Sequence, residues 1–494
     1  MAQSIDAARP LTSAVRAAHE PTMFDQPIRF AARTRPLALA LTNGQTHVTY
    51  RQLDEGVDQV AAALTRSGVG PAAGSDEALV GVSVRDAYQH ALVTLAAARL
   101  GLATTSLFPT MAAGMAALAG VTHLVADDAA LSPAVLADAG WFDAARAAPA
   151  QPLARVRLNP AAVGRVQLSS GTTGLPKAVG LSWSLMTTRQ GLAPALFGIA
   201  ARTVSMIGVE SGGMSVWLAT WRSFGCVVVP PANPAALAAA LPILQPTTIV
   251  ASPVQIAALA DALDRDPVAT AQAVLITVAG GRVSRTVRER LALSLGAVVV
   301  PAYASTEAGT VATAVSVRLP DDGDVGYLMP GVAVEIVTDD GLVLPVGETG
   351  HVRIAGPGVV AGYRDRQPTP AFRDGWFYPG DLGSLSAEGL LRIAGRADEV
   401  LNIGGEKVAP EALEELVRPV AGVADVAAFS LPGDAGDQPW LAIVRAGEVD
   451  EGAVGRALTL PGLGTVRIAW IEAIPRTLMG KVRREELQAA ARKL

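Results

Sequence analysis

The chain has 494 residues, which at roughly 150 residues per domain allows two to four domains and a large core. Lys+Arg number 40 against 45 Asp+Glu, a formal net charge of −5 that excludes a general nucleic-acid binder. Half the residues are apolar but only nine Phe, seven Trp and six Tyr are aromatic, so Ala, Val and Leu supply the core of a globular protein. At the N-terminus, Met1 to Asp6 carry neither a basic start nor an apolar stretch, so no secretory signal is expected there. A strand over 78–84 leads to Asp86, a capping residue for a helix over 87–100. The stretch 111–164 is Ala-rich and weakly patterned, and reads as helical without functional content. Cys226 is the single cysteine; it excludes a disulfide framework and lies in the apolar run 226–229, which reads as a strand with a buried thiol. Asn233-Pro234 is a helix start, with the cap followed by Pro at the first helical position. Further strands are expected over 248–251, 274–278 and 298–302, with a helix from Ser284 between the last two. Strands alternating with helices predict parallel sheets covered on both faces.

After residue 320 the texture changes to alternating runs, 332–337 and 350–354, separated by Asp339-Asp340-Gly341, then a hairpin of 382–386 and 390–394. From about 396 a small α+β unit follows: helix 410–418, strands 424–430 and 438–445, helix 451–459, a strand near 465–472 and a helix from about 482. The five histidines show no ligand spacing, and no apolar run reaches the ~18–20 residues that span a bilayer. A cytoplasmic protein, with no membrane or nucleic-acid partner, is expected.

The sharpest chemical signal is Val166-Gln167-Leu168-Ser169-Ser170-Gly171-Thr172-Thr173-Gly174-Leu175-Pro176-Lys177. From Ser169 on, it holds four hydroxyls, two glycines and a lysine in nine positions. Glycines let backbone N–H groups approach an anion, hydroxyls donate to phosphate oxygens, and the lysine neutralises charge. It is not a P-loop, because no glycine immediately precedes Lys177 and no Ser or Thr follows it. Four more segments follow: Tyr303-Ala304-Ser305-Thr306-Glu307, Gly375-Trp376-Phe377-Tyr378-Pro379-Gly380-Asp381, Gly395-Arg396-Ala397-Asp398-Glu399 and Pro475-Arg476-Thr477-Leu478-Met479-Gly480-Lys481. In order and approximate spacing these motifs resemble the adenylate-forming superfamily, which includes acyl-CoA synthetases, adenylation domains and firefly luciferase; the resemblance covers about residues 30 to 490.

The resemblance implies a large α/β domain over 1–395, with two sheets sandwiched with helices plus a β-rich subdomain. A small mobile α+β domain over 396–494 completes the architecture. It implies ATP-dependent activation of a carboxylic acid to an acyl-adenylate, then thioester formation with CoA, with a stand-alone ligase that loads a carrier protein as the alternative. ATP, Mg²⁺ and CoA are the implied cofactors. Ser169, Ser170, Gly171, Thr172, Thr173, Gly174 and Lys177 would cradle phosphates, and Gly280-Gly281 would lie against adenine. Tyr303 would stack on the base, Thr306 and Glu307 would serve phosphate and metal, and Asp381 with Arg396 would hold the ribose. Lys481 would bridge the carboxylate and the α-phosphate, and Asp398 would be the hinge. Gly404, Gly405 and Lys407 would face the pantetheine arm and a CoA phosphate. Where many acyl-CoA synthetases carry a histidine or aromatic gate, this chain has Ile207 to Met214 with neither. Glu210, Ser211, Gly212, Met214 and Ala304 are therefore the candidate acyl-pocket residues, suited to a hydrophobic acid.

Overall fold

The structure, a computed structural model, describes residues 25–492 except 71–77, 149–155, 157, 170–176, 193–197, 232, 271, 315–318, 320–322, 366, 368, 400, 404–405, 409, 434–435, 459–465 and 477–481. A six-stranded sheet runs in the order Val135–Leu136, His123–Ala126, Leu79–Ser83, Ala103–Ser106, Val163–Ser169, Lys177–Ser182. All its neighbours are parallel except the last pair, where Ser169 faces Lys177 in an antiparallel register. The predicted phosphate loop lies between those two residues in the chain, so the sheet itself fixes where both of its ends stand. Leu79–Ser83 is buried at every position, as a central parallel strand must be. Asp86 caps the helix Ala87–Arg99 by accepting from the Gln89 N–H.

The stretch 111–164 departs from its expected helical reading. Besides the helices Ala112–Ala119 and Ala139–Ala147 it supplies the strands His123–Ala126 and Val135–Leu136 and the start of Val163–Ser169. A strand of two to four residues carries too few side chains to show a period; His123–Ala126 forms because Val80–Ser83 offers a parallel edge, and Val135–Leu136 forms on His123–Ala126 in turn.

A second sheet of 15 strands is continuous from the parallel core to the β-rich region. The parallel part is Val298–Ser305, Leu275–Ala279, Thr248–Ala251, Arg202–Ser205, Cys226–Val228 and Leu39–Thr42. Gly309–Thr313 then pairs antiparallel with Val298–Ser305, and Asp324–Leu328, Leu390–Arg396, Asp381–Leu385 and Gly350–Ala355 extend the sheet outward. The change from parallel to antiparallel texture thus occurs inside one hydrogen-bonded sheet, at the strand bearing Tyr303. The largest apolar cluster, with Leu53, Val82, Leu95, Trp217 and Trp221, fastens the first sheet to the helix Gly213–Arg222 of the second layer. From Leu401 on the chain builds its own cores around Val426, Leu441 and Ile443 and around Phe429 and Leu487, on the sheet Val423–Gly433, Gly436–Arg445, Arg467–Ile471. Among the described residues no helix is long and apolar enough to cross a membrane.

Candidate active site

A cavity of about 2240 Å³ lies between the first sheet, the C-terminal ends of the parallel strands and the residues after 395. On one wall the Tyr303 hydroxyl donates to Asp381 Oδ2 at 2.5 Å. Burial and the adjacent carboxylate push the Tyr303 phenol well above its ordinary range, so it stays a donor. Arg396 donates through Nη1 to Asp381 Oδ1 at 3.3 Å and to the Pro379 carbonyl at 2.5 Å. Its Nε and Nη2 fork onto the Asp398 carboxylate at 3.0 and 3.1 Å. Four residues from three separate motifs therefore form one chain of contacts, Tyr303, Asp381, Arg396, Asp398. The register explains this: Asp381 and Arg396 are opposite partners on neighbouring strands. Gly380 just before Asp381 has φ +82°, and a Cβ there would stand 2.9 Å from Arg396 Nη2.

A second group stands at the ends of the phosphate loop. Glu307 is 8% exposed and accepts the Tyr363 hydroxyl at 3.2 Å on Oε1. The Lys177 ammonium lies 4.7 Å from the Tyr363 ring centroid, a cation–π contact. Burial and the Glu307 carboxylate hold the Tyr363 hydroxyl protonated. The Thr306–Glu307 backbone is held from behind by Arg189, which donates to the carbonyls of Gly358 (2.8 Å), Thr306 (3.0 Å) and Glu307 (2.8 Å). Burial lowers Arg189 to about 10, and it remains a cation at neutral pH. Ser169, Thr306, Gly280 and Gly281 line the same cavity. Gly280 has φ +95°, a left-handed backbone natural to glycine, and a Cβ on Gly281 would meet Pro253 Cγ at 3.2 Å.

Of the candidate acyl residues, Glu210, Ser211, Gly212 and Ala304 line the cavity, and burial raises the Glu210 carboxyl above its usual range. Met214 is corrected: it is fully buried in the core beside Trp217, because the helix Gly213–Arg222 turns it toward the first sheet. Ser170, Gly171, Thr172, Thr173, Gly174, Gly404, Gly405 and Lys481 lie outside the described residues. Lys407 lies on the strand Glu406–Val408, opposite Asn402, and its side chain is outside the description. Three residues escaped the sequence reading: Arg189, Tyr363 and Arg165. A basic residue in the last turn of a helix, as Arg189 is, gives no sign that it will reach across to residues 306, 307 and 358.

For a divalent cation, the described residues hold no cluster of three His, Cys, Asp or Glu. A single buried carboxylate, Glu307, near the end of the expected phosphate loop fits Mg²⁺, which takes one or two carboxylates and completes its shell with water and phosphate oxygens.

The sequence model of the AMP-binding enzyme family matches residues 28–364. A 2-hydroxy-7-methoxy-5-methyl-1-naphthoate–CoA ligase of Streptomyces carzinostaticus is 27% identical over 535 aligned positions, 93% of this chain and 92% of that one. An indoleacetate–CoA ligase of Aromatoleum aromaticum is 32% identical over 231 residues, and the match spans 44% of each protein, under half the relative's length. Among solved structures, the o-succinylbenzoate–CoA synthetase of Bacillus subtilis in complex with ATP and magnesium ion superposes with a TM-score of 0.82 at 20% identity, covering 94% of this chain and 99% of that one. The fold of the two is shared. With its motifs in order and its cleft at the parallel-to-antiparallel switch, this chain belongs to the AMP-binding enzyme family of adenylate-forming proteins.

Proposed function

We propose that the chain activates a carboxylic acid with ATP to an acyl-adenylate and transfers the acyl group to CoA, releasing AMP and pyrophosphate. The observation that carries this reading is the convergence in one cleft of Tyr303, Asp381 and Arg396 on one side and Glu307, Tyr363 and Lys177 on the other. The CoA-ligase names of the two relatives support the reaction class. Asp381 presents a carboxylate to ribose hydroxyls, already oriented by Tyr303 and Arg396. Glu307 would hold Mg²⁺, which would supply positive charge for the phosphates there. Ser169 to Gly174 and Lys177 would hold the β- and γ-phosphates, and Thr306 the α-phosphate. One acid oxygen attacks the α-phosphorus as the bond to pyrophosphate breaks, and Lys481 would neutralise the charge that grows there.

The same reading assigns residues 1–395 to a large domain and 396–494 to a small one, with Asp398 as hinge. The small domain would present Lys481 for the first half-reaction and Gly404, Gly405 and Lys407 for the second. Its site is proposed to work in the cytoplasm, where the lone buried Cys226 stays reduced; burial raises that thiol to about 11. The test is acid-dependent ATP–pyrophosphate exchange followed by acyl-CoA formation. Asp381→Asn should lower exchange ~10²-fold with raised KM for ATP, on the scale of losing one positioned charged acceptor. Exchange without any acyl-CoA, but with transfer to phosphopantetheinylated carriers, replaces CoA by a carrier protein as acceptor. Absence of exchange with every acid overturns the reading.

A further inference from the structure

We propose that Arg165 receives a second carboxylate at the far end of the acyl site, so that the acid activated here is a dicarboxylic acid. This rests on the ligase reading and specifies its substrate class. The strand Val163–Ser169 alternates, placing Arg165, Gln167 and Ser169 on one face. Ser169 opens the phosphate loop; Arg165, four residues earlier, lies about 13 Å down the same face. Both line the cavity, and between them Gln167 donates to Ser215 Oγ at 3.4 Å on the helix that carries the acyl-site wall. One strand face thus runs from the reacting end of the cleft to a guanidinium.

Among the described residues, that guanidinium meets no carboxylate. Arg165 is 2% exposed, donating through Nη1 to Thr104 Oγ1 at 3.2 Å and through Nη2 to Ser106 Oγ at 2.7 Å. Its Nε–H has no partner. Ser106 is itself fixed by His90: the Val84 carbonyl, 3.2 Å from Nδ1, can only accept, so Nδ1 carries the proton. His90 Nε2, at 2.8 Å, then accepts the Ser106 hydroxyl proton, and the Ser106 oxygen is free to accept from Arg165. Burial and the Arg165 charge hold His90 down at about 3, so the ring is neutral and adds no charge. Burial alone lowers Arg165 to about 10, which leaves it cationic at neutral pH.

The same fold shows how a buried arginine is otherwise accommodated. Arg99 is wholly buried and meets three carboxylates, Asp25, Asp54 and Asp58. Taking a guanidinium out of water costs several kcal/mol unless opposite charge and hydrogen bonds offset it. Thr104 and Ser106 supply oxygens but no charge. A ligand carboxylate entering from the cavity would supply both, and its two oxygens match the planar fork of Arg. A distal methyl group in the same place would leave the cation unpaired.

The test is pyrophosphate exchange by the full-length enzyme with α,ω-dicarboxylic acids of roughly four to twelve carbons, bracketing the ~13 Å span. Each is compared with its mono-methyl ester, the aliphatic mono-acid and the ω-amino acid of equal length. Some diacid should exceed its half-ester ~10²-fold or more in kcat/KM, because a site built to bind a polar group rejects the analogue that lacks it. Arg165→Gln and Arg165→Met should erase that ratio by raising KM for the diacid while KM for ATP stays within ~3-fold. If the variants do not fold, the wild-type ratios alone decide. Preference for the half-ester, the mono-acid or the ω-amino acid overturns the inference and leaves the ligase reading standing; so does a diacid preference that the Arg165 variants retain. Exchange with no acid at all removes the ligase reading itself.

Discussion

Arg99 and Arg165 are buried cations and Arg189 is a half-buried one, each in a different setting. Arg99 sits among three carboxylates, Arg189 spreads its charge over three backbone carbonyls, and Arg165 has two hydroxyls and an unpartnered Nε. Arg99 and Arg189 close structural networks; Arg165 lines the cavity with one N–H unpartnered. Glu414 is a buried anion of the opposite kind. It accepts the Ala428 N–H at 3.0 Å, yet burial raises its carboxyl to about 7 against an ordinary value of 4.5. A carboxyl raised on folding adds stability that is complete below about pH 4.5 and is lost as pH climbs through about 7. Glu414→Gln, which keeps an acceptor for Ala428, should therefore match the wild type at pH 4 and be the more stable at pH 8. The gap should reach on the order of 3 kcal/mol, read from denaturant unfolding followed by fluorescence at the two pH values. Equal pH dependence of the two proteins would remove Glu414 as the source.

At the scale of elements, the helix Gly213–Arg222 decides the shape of the acyl wall. Its first residue packs so closely on the preceding loop that a Cβ on Gly213 would sit 2.1 Å from the Ile207 carbonyl oxygen and 2.6 Å from that of Gly208. Those are backbone atoms, and Trp217 and Trp221, 5.8 Å apart edge to face in the core, pin the helix from the other side. Gly213→Ala should thus cost ~1–3 kcal/mol as an overpacked site and raise KM for the acid more than KM for ATP. Differential scanning calorimetry and exchange kinetics check both, and a silent variant would mean the loop 207–212 yields easily. The strand pair bearing Asp381 and Arg396 places both residues side by side on one wall of the cavity without help from any loop. Rigid strands are a sound place for groups that must hold a fixed geometry.

Across the whole molecule, the residues after 400 are tied to the large sheet region by a few polar contacts. Arg282 reaches Glu415 at 3.0 Å while also donating to the Ile393 carbonyl at 2.8 Å. Ion pairs that keep some contact with water contribute little each. With Asp398 as the proposed hinge, Asp398→Pro would fix φ near −65° and remove the carboxylate that Arg396 grips. Pyrophosphate exchange should stay within ~3-fold of wild type while acyl-CoA output falls ~10-fold or more, since only the second half-reaction needs the other orientation. Normal CoA turnover would move the hinge elsewhere.

The sequence by itself determined the alternating α/β pattern, the helix starts at Asp86, Asn233 and Ser284, and the order of the nucleotide motifs. These depend on local rules: a cap accepts an N–H two or three residues away, and a strand declares itself by β-branched runs. Ser169 and Lys177 could be expected at one site because nine consecutive positions hold the whole pattern. Family resemblance implied only that Tyr303, Asp381 and Arg396 serve one nucleotide and that Asp398 is a hinge; that the four form one chain of contacts comes from strand register. What only the tertiary structure decided involves partners far apart in the chain. The strands at 123–126 and 135–136 exist because a neighbouring edge receives them, and Met214 turned inward because its helix packs on the first sheet. Arg165 looked like one charge in a strand. Its meaning lies in what the fold withholds: every carboxylate that a buried guanidinium would need is elsewhere among the described residues, and a cavity stands in their place.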